Sequence, residues 1–117
     1  MWIVTGDGFY SAVEDRKDAA MVWVRTRSKQ HANVLAEHLR GANEEASVHT
    51  TPRADYPFRV HCEKVAFAQW LGDQAEAIDY DNFKSMLHAR RGHADKLLAA
   101  AHDVWSVMRL HLQGLRT

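Results

Sequence analysis

Seven residues, Met21-Val22-Trp23-Val24-Arg25-Thr26-Arg27, alternate strictly between small apolar side chains and bulky or basic ones. Successive side chains on a strand point to opposite faces, so Val22, Val24 and Thr26 share one face and Trp23, Arg25 and Arg27 the other. As a helix, the same segment would spread its arginines around the axis and leave no clean apolar stripe. The chain must therefore build a sheet with one apolar and one basic face, and cover the apolar one. Tyr56-Pro57-Phe58-Arg59-Val60-His61-Cys62 repeats the pattern. There Tyr56, Phe58, Val60 and Cys62 are expected inward and Arg59 and His61 outward, while Pro57 points to an edge position or a strand start.

The remaining segments supply cover. Met1 to Thr5 and Phe9 to Val13 flank Gly6-Asp7-Gly8, which reads as one strand with a tight turn or bulge, or as a short hairpin. Ser28 is an N-cap candidate for a helix from Lys29 to Arg40, with Ala32, Leu35 and Leu39 at helical spacing and Gly41 as its stop. A polar loop over 42–47 leads to a short strand at Val48-His49-Thr50-Thr51, broken by Pro52. From Glu63, Phe67, Trp70, Leu71, Gln74 and Ile78 mark a second helix, and Asp79-Tyr80-Asp81-Asn82 offers caps for a third carrying Phe83 and Leu87 up to Gly92. In the last helix, Leu97, Leu98, Ala101, Val104, Trp105, Met108 and Leu112 form one stripe. The expected fold class is α+β. A four-stranded, mainly antiparallel sheet packs against helices in the order ββαββααα, a ferredoxin-like or related sandwich of two ββα halves closed by the long Trp105-bearing helix.

At 117 residues the chain suits one domain, 1–117, and its 46% hydrophobic and 26% charged residues are ordinary globular usage. Its single cysteine, Cys62, permits neither an internal disulfide nor a four-cysteine zinc site, which suggests a reducing, cytoplasmic compartment. Met1-Trp2-Ile3-Val4 lacks the basic start and long apolar run of a signal peptide, and no stretch approaches the roughly 20 apolar residues that cross a bilayer. No membrane partner is expected. Fifteen basic and fifteen acidic residues balance, so any basic site must be local. Protonating all eight histidines would take the formal charge from 0 to +8, making solubility near neutrality sensitive to pH.

Five segments together, Met1-Trp2-Ile3-Val4-Thr5 with Gly8-Phe9-Tyr10-Ser11, Val24-Arg25-Thr26-Arg27, Ala54-Asp55-Tyr56 with Arg59-Val60, Asp79-Tyr80-Asp81-Asn82-Phe83-Lys84, and Asp103-Val104-Trp105-Ser106-Val107-Met108, resemble a family of short proteins from actinobacteria and their phages. The resemblance spans nearly the whole chain. One position departs from it: Arg109 stands where the family carries Tyr after this last segment. The resemblance implies a phage-linked or accessory protein, for which binding another macromolecule is commoner than metabolic catalysis.

The outward sheet face is the candidate site. Trp23, Arg25, Arg27, Arg59 and His61 together mix guanidinium groups for phosphates with aromatic rings for bases. The alternative is that the last helix covers Trp23 and that acids pair with the arginines. No RNP-type aromatic motif accompanies the face. Arg90 and Arg91, between His88 and His93, form a secondary candidate that could grip a phosphate or an acidic partner.

Other motifs point to bland chemistry. Asp79, Asp81 and Asn82 resemble the start of a calcium loop but lack its glycine and its closing Glu, so helix capping explains them better. Neither His88 with His93 nor His31 with His38 has the i, i+4 spacing and third ligand of a catalytic zinc site. Cys62 lies on the apolar face with no activating neighbour, and Gly6-Asp7-Gly8 lacks the rest of a phosphate loop. No catalytic set, metal or cofactor is expected. Three functions remain, in this order: a protein-binding or self-associating module with an apolar patch near Trp2, Tyr10 or Trp23; a nucleic-acid-binding domain; and an unrecognised enzyme or metal protein.

Overall fold

Gly6-Asp7 reverse the chain between β1 (Trp2–Thr5) and β2 (Gly8–Glu14), whose register pairs Thr5 with Gly8 and Trp2 with Ser11. The N-terminal segment is thus a hairpin and contributes two strands. The computed structural model describes residues 1–42 and 45–116, Arg116 by its backbone only. After β3 (Met21–Thr26) come α1 (Lys29–Gly41), β4 (Val48–Thr50), β5 (Phe58–Glu63), α2 (Lys64–Glu76), α3 (Phe83–Arg91), α4 (Lys96–Leu112) and a 3-10 turn, Gln113–Arg116. The fold is α+β, but the sheet has five strands where four were expected, and the order is βββαββααα. The hairpin accounts for the added strand. Asn43 and Glu44 of the expected 42–47 loop lie outside the described residues.

The strands are ordered β1-β2-β3-β5-β4, and every neighbouring pair is antiparallel. This open sheet with helices is compatible with a sandwich. β3 and β4 run parallel with β5 between them, joined by α1, so the two ββα halves meet where β3 pairs with β5.

The chain divides into two compact units, Met1–Ile78 and Asp79–Thr117. In the first, the core gathers Tyr10, Ala12, Val22, Val24, Val60 and Cys62 from one sheet face, Ala32, Leu35, Ala36 and Leu39 from α1, and Phe67 and Trp70 from α2. Both helices of this unit therefore lie on the apolar face that alternation required. Trp70 is stacked on Phe67 and meets Tyr10 edge-on at 5.1 Å, and the Tyr10 hydroxyl donates to the His31 carbonyl at 3.1 Å. Tyr10 is fully buried, so it cannot belong to an exposed association patch. A Cβ on Gly8 would stand 2.5 Å from His31 Cγ, so only glycine lets α1 approach β2 this closely. Ser28 caps α1 by accepting the His31 N–H, as expected.

In the second unit, Asn82 accepts the Ser85 N–H and starts α3, which bears out the capping reading of that segment. Gly92 takes φ +80° and ends it. Asp95 caps α4 by accepting the Leu97 and Leu98 N–H groups. The stripe on α4 is the main departure: only Leu97 is buried, while Val104, Trp105, Met108 and Leu112 are exposed. A helical apolar stripe makes a helix amphipathic, but does not determine that its own chain buries it. Among the described residues, no helix is long and apolar enough to cross a membrane.

Candidate functional site

The β3–β5 register pairs Trp23 with His61 and Arg25 with Arg59, and so brings four of the five expected residues together at the centre of the sheet. All four are partly exposed, on the face opposite α1 and α2. Arg27, just beyond β3, reaches the same face and is exposed.

Like charges directly opposite on antiparallel strands repel, so the surroundings of Arg25 and Arg59 decide how that pair persists. Tyr56 lies under both Arg25 and Arg27, whose guanidinium carbons stand 4.8 and 4.3 Å from its ring centroid. The negative ring face offsets part of the crowded positive charge. Arg25 Nη2 donates to Ser11 Oγ at 2.9 Å, and Arg27 Nη2 bonds both Asp55 oxygens at 3.1 Å. The hydrogen bond to Asp55 raises the pKa of Arg27 above its ordinary value. The Nε atoms of Arg25 and Arg59 are different: both are buried with no acceptor among the described residues. Buried donors of this kind are costly unless something satisfies them.

The other end of the face is built on Trp23. Its ring packs on His61 at 4.4 Å between centroids and meets His49 edge-on at 5.3 Å. His61 Nε2 donates to Asp15 Oδ2 at 2.7 Å. The Lys17 backbone N–H first, and then His61, hold the Asp15 carboxyl below the usual carboxylate range. Towards β1, Trp2 and Phe9 meet edge-on at 6.3 Å, and Trp2 is 75% exposed. The face therefore alternates aromatic rings with guanidinium groups across four strands, an arrangement suited to anions carried on stackable or apolar groups.

Tyr56, Ser11, Phe9, Asp15 and His49 were not among the expected site residues. Tyr56 was expected on the inward face, but alternation is interrupted at Pro57. The ring turns outward to the arginines and is buried by them rather than by the core. The signal for Phe9 and Ser11 was the two-residue turn, since a hairpin register sets them on the same face as Trp2.

Arg90 and Arg91 belong to the second unit and lie in the last turn of α3. Arg91 Nε pairs with Asp95 Oδ1 at 3.0 Å, and Arg90 is exposed. Both favour the negative end of the helix dipole. His88 and His93 pack at 4.2 Å between ring centroids, with His88 Nε2 and His93 Nδ1 2.8 Å apart. His31 Nδ1 accepts the Phe9 N–H, whereas His38 pairs with Asp73 of α2, so the two histidines of α1 serve separate contacts. Cys62 is a buried thiol outside any disulfide. Among the described residues, no group of three or more His, Cys, Asp or Glu side chains is placed to hold a metal ion. Compared with known proteins, the chain matches no family model, no curated protein and no solved structure.

Proposed function

We propose that this chain is a non-enzymatic binding module whose sheet face takes a single-stranded nucleic acid. One observation carries the reading: Arg25 and Arg59 stand directly opposite each other beside Trp23, with both buried Nε atoms lacking an acceptor among the described residues. A phosphate oxygen between them would relieve the repulsion and accept from both guanidinium groups, while bases stack on Trp23, Phe9 or Trp2. The topology supports the same reading. Strands β2-β3-β5-β4, with the β3–α1–β4 crossover spanning β5, have the layout of a ferredoxin-like sandwich with its strands cyclically permuted, β1 being an added edge strand. Trp23, Arg25, Arg59 and His61 lie on the two central strands of that layout, the open platform on which sheet-type RNA binders stack bases.

An accessory role in an actinobacterial or phage setting, and a cytoplasmic location, belong to the same proposal. A protein partner is the second reading, favoured by Trp, Tyr and Arg sharing one face, since these side chains dominate interface hot spots.

Titration of a single-stranded oligonucleotide, followed by tryptophan fluorescence, separates the two. With about three phosphates neutralised, affinity is expected to fall roughly 20-fold between 50 and 200 mM salt. Arg25→Ala with Arg59→Ala should weaken binding at least tenfold with the fold retained. Absent or salt-independent binding at low ionic strength would leave the protein-partner reading in its place.

A further inference from the structure

We infer that α4 pairs with α4 of a second copy of this chain, antiparallel, to form a reversible dimer. This rests on a different surface from the proposed sheet-face site and stands independently of it.

Along α4, Leu98, Ala101, Trp105, Met108 and Leu112 follow one another at alternating steps of three and four residues, the spacing of the two seam positions of a heptad repeat. Leu115 continues the spacing into the terminal 3-10 turn. Within this unit α3 packs on the flank of the helix next to the stripe, and Leu98 borders both. The groove between them is lined from α4 by Leu98, Ala99, His102 and Asp103, and Lys84 Nζ of α3 stands 3.7 Å from the Trp105 ring centroid. After that packing, Trp105 is still 45% exposed, Met108 52%, Leu112 48% and the flanking Val104 51%. Leu115, which continues the stripe, is 78% exposed.

The area suits a second copy. At roughly 200 Å2 per side chain, the exposed parts of Val104, Trp105, Met108, Leu112 and Leu115 come to about 550 Å2 per chain. Two copies then bury on the order of 1,100 Å2, just above the roughly 1,000 Å2 that a specific interface needs. An interface of that size belongs with transient rather than permanent associations. Volumes set the direction. In a parallel pair, Ala101 would face Ala101 and Trp105 would face Trp105, a gap beside a clash. An antiparallel pair sets Trp105 against Met108 and Ala101 against Leu112, layers of more even volume. It also opposes the two helix dipoles.

The test is the mass of the full chain by sedimentation equilibrium between about 1 and 200 μM. Expected is a shift from one to two chain masses, with Met108→Glu raising the dissociation constant at least tenfold at unchanged circular dichroism. Leu110→Glu, an exposed site off the stripe, should leave dimerisation as it is. Ala101→Cys chains should cross-link to Leu112→Cys chains in preference to one another. A monomer at every concentration, a dimer indifferent to Met108→Glu, or preferential Ala101→Cys self-linking would each overturn the inference. Loss of oligonucleotide binding with the dimer intact would instead count against the sheet-face reading alone.

Discussion

Asp15 shows how much one side chain outside the regular elements does for the sheet face. Its carboxylate accepts the Lys17 N–H at 2.9 Å with one oxygen and the His61 ring N–H with the other, so it closes the β2–β3 connection and orients the ring under Trp23. Both partners favour the charged form, which is why its pKa is depressed. A carboxyl with a lower pKa folded than unfolded stabilises the fold above the ordinary carboxylate range, near pH 4. That contribution disappears as pH falls through the depressed value. Asp15→Asn is therefore expected to lower stability at neutral pH and to flatten the acid side of the stability profile, as read by urea unfolding between pH 2 and 7. At this scale the sequence was readable wherever period alone decides orientation: Trp23, Arg25, Arg59 and His61 all face as alternation requires. Tyr56 was not, because it precedes Pro57 and is positioned by two guanidinium groups that are distant along the chain.

Among the elements, the N-caps of α1 and α3 were legible, where Ser28 and Asn82 accept the amides that a helix start leaves free, while α1 runs through Gly41, its expected stop, to a C-cap at Ala42. Asp95 does the same for α4 and also holds Arg91 from the turn before. The Arg91 hydrogen bond and the Leu97 and Leu98 amides all lower its pKa. Asp95→Ala should cost about 1 kcal/mol, seen as a lower urea midpoint and a loss of helical dichroism. The N-terminal hairpin was left open because Gly6-Asp7-Gly8 serves equally as a turn or a bulge, and only pairing of Thr5 with Gly8 separates the two. Strand β4, three residues long, was legible from its β-branched ends and Pro52 despite its length. The apolar stripe of α4 was equally plain, but periodicity tells which residues share a side and nothing about what meets them.

For the whole molecule, the core residues from Tyr10 to Trp70 all fall within the first unit. A chain ending at Ile78 is accordingly expected to melt cooperatively and to keep the tryptophan fluorescence of a buried Trp70; a broad, non-cooperative melt would show that residues 79–117 are needed for the sheet to form. Strand order was the part of the architecture least accessible from sequence. Local periodicity predicts strands but not partners, and the central β3–β5 pair joins segments separated by α1 and β4.

That central pair is also the long-range one. The β1–β2–β3 meander closes through short connections, whereas β5 reaches β3 only after α1 and β4, so the β3–β5 pairing carries the larger closure entropy. Arg25 and Arg59 become neighbours only at that moment. The basic face is a discontinuous epitope: no short peptide of the chain carries it, and a ligand that needs both arginines recognises only chains in which β3 and β5 have paired.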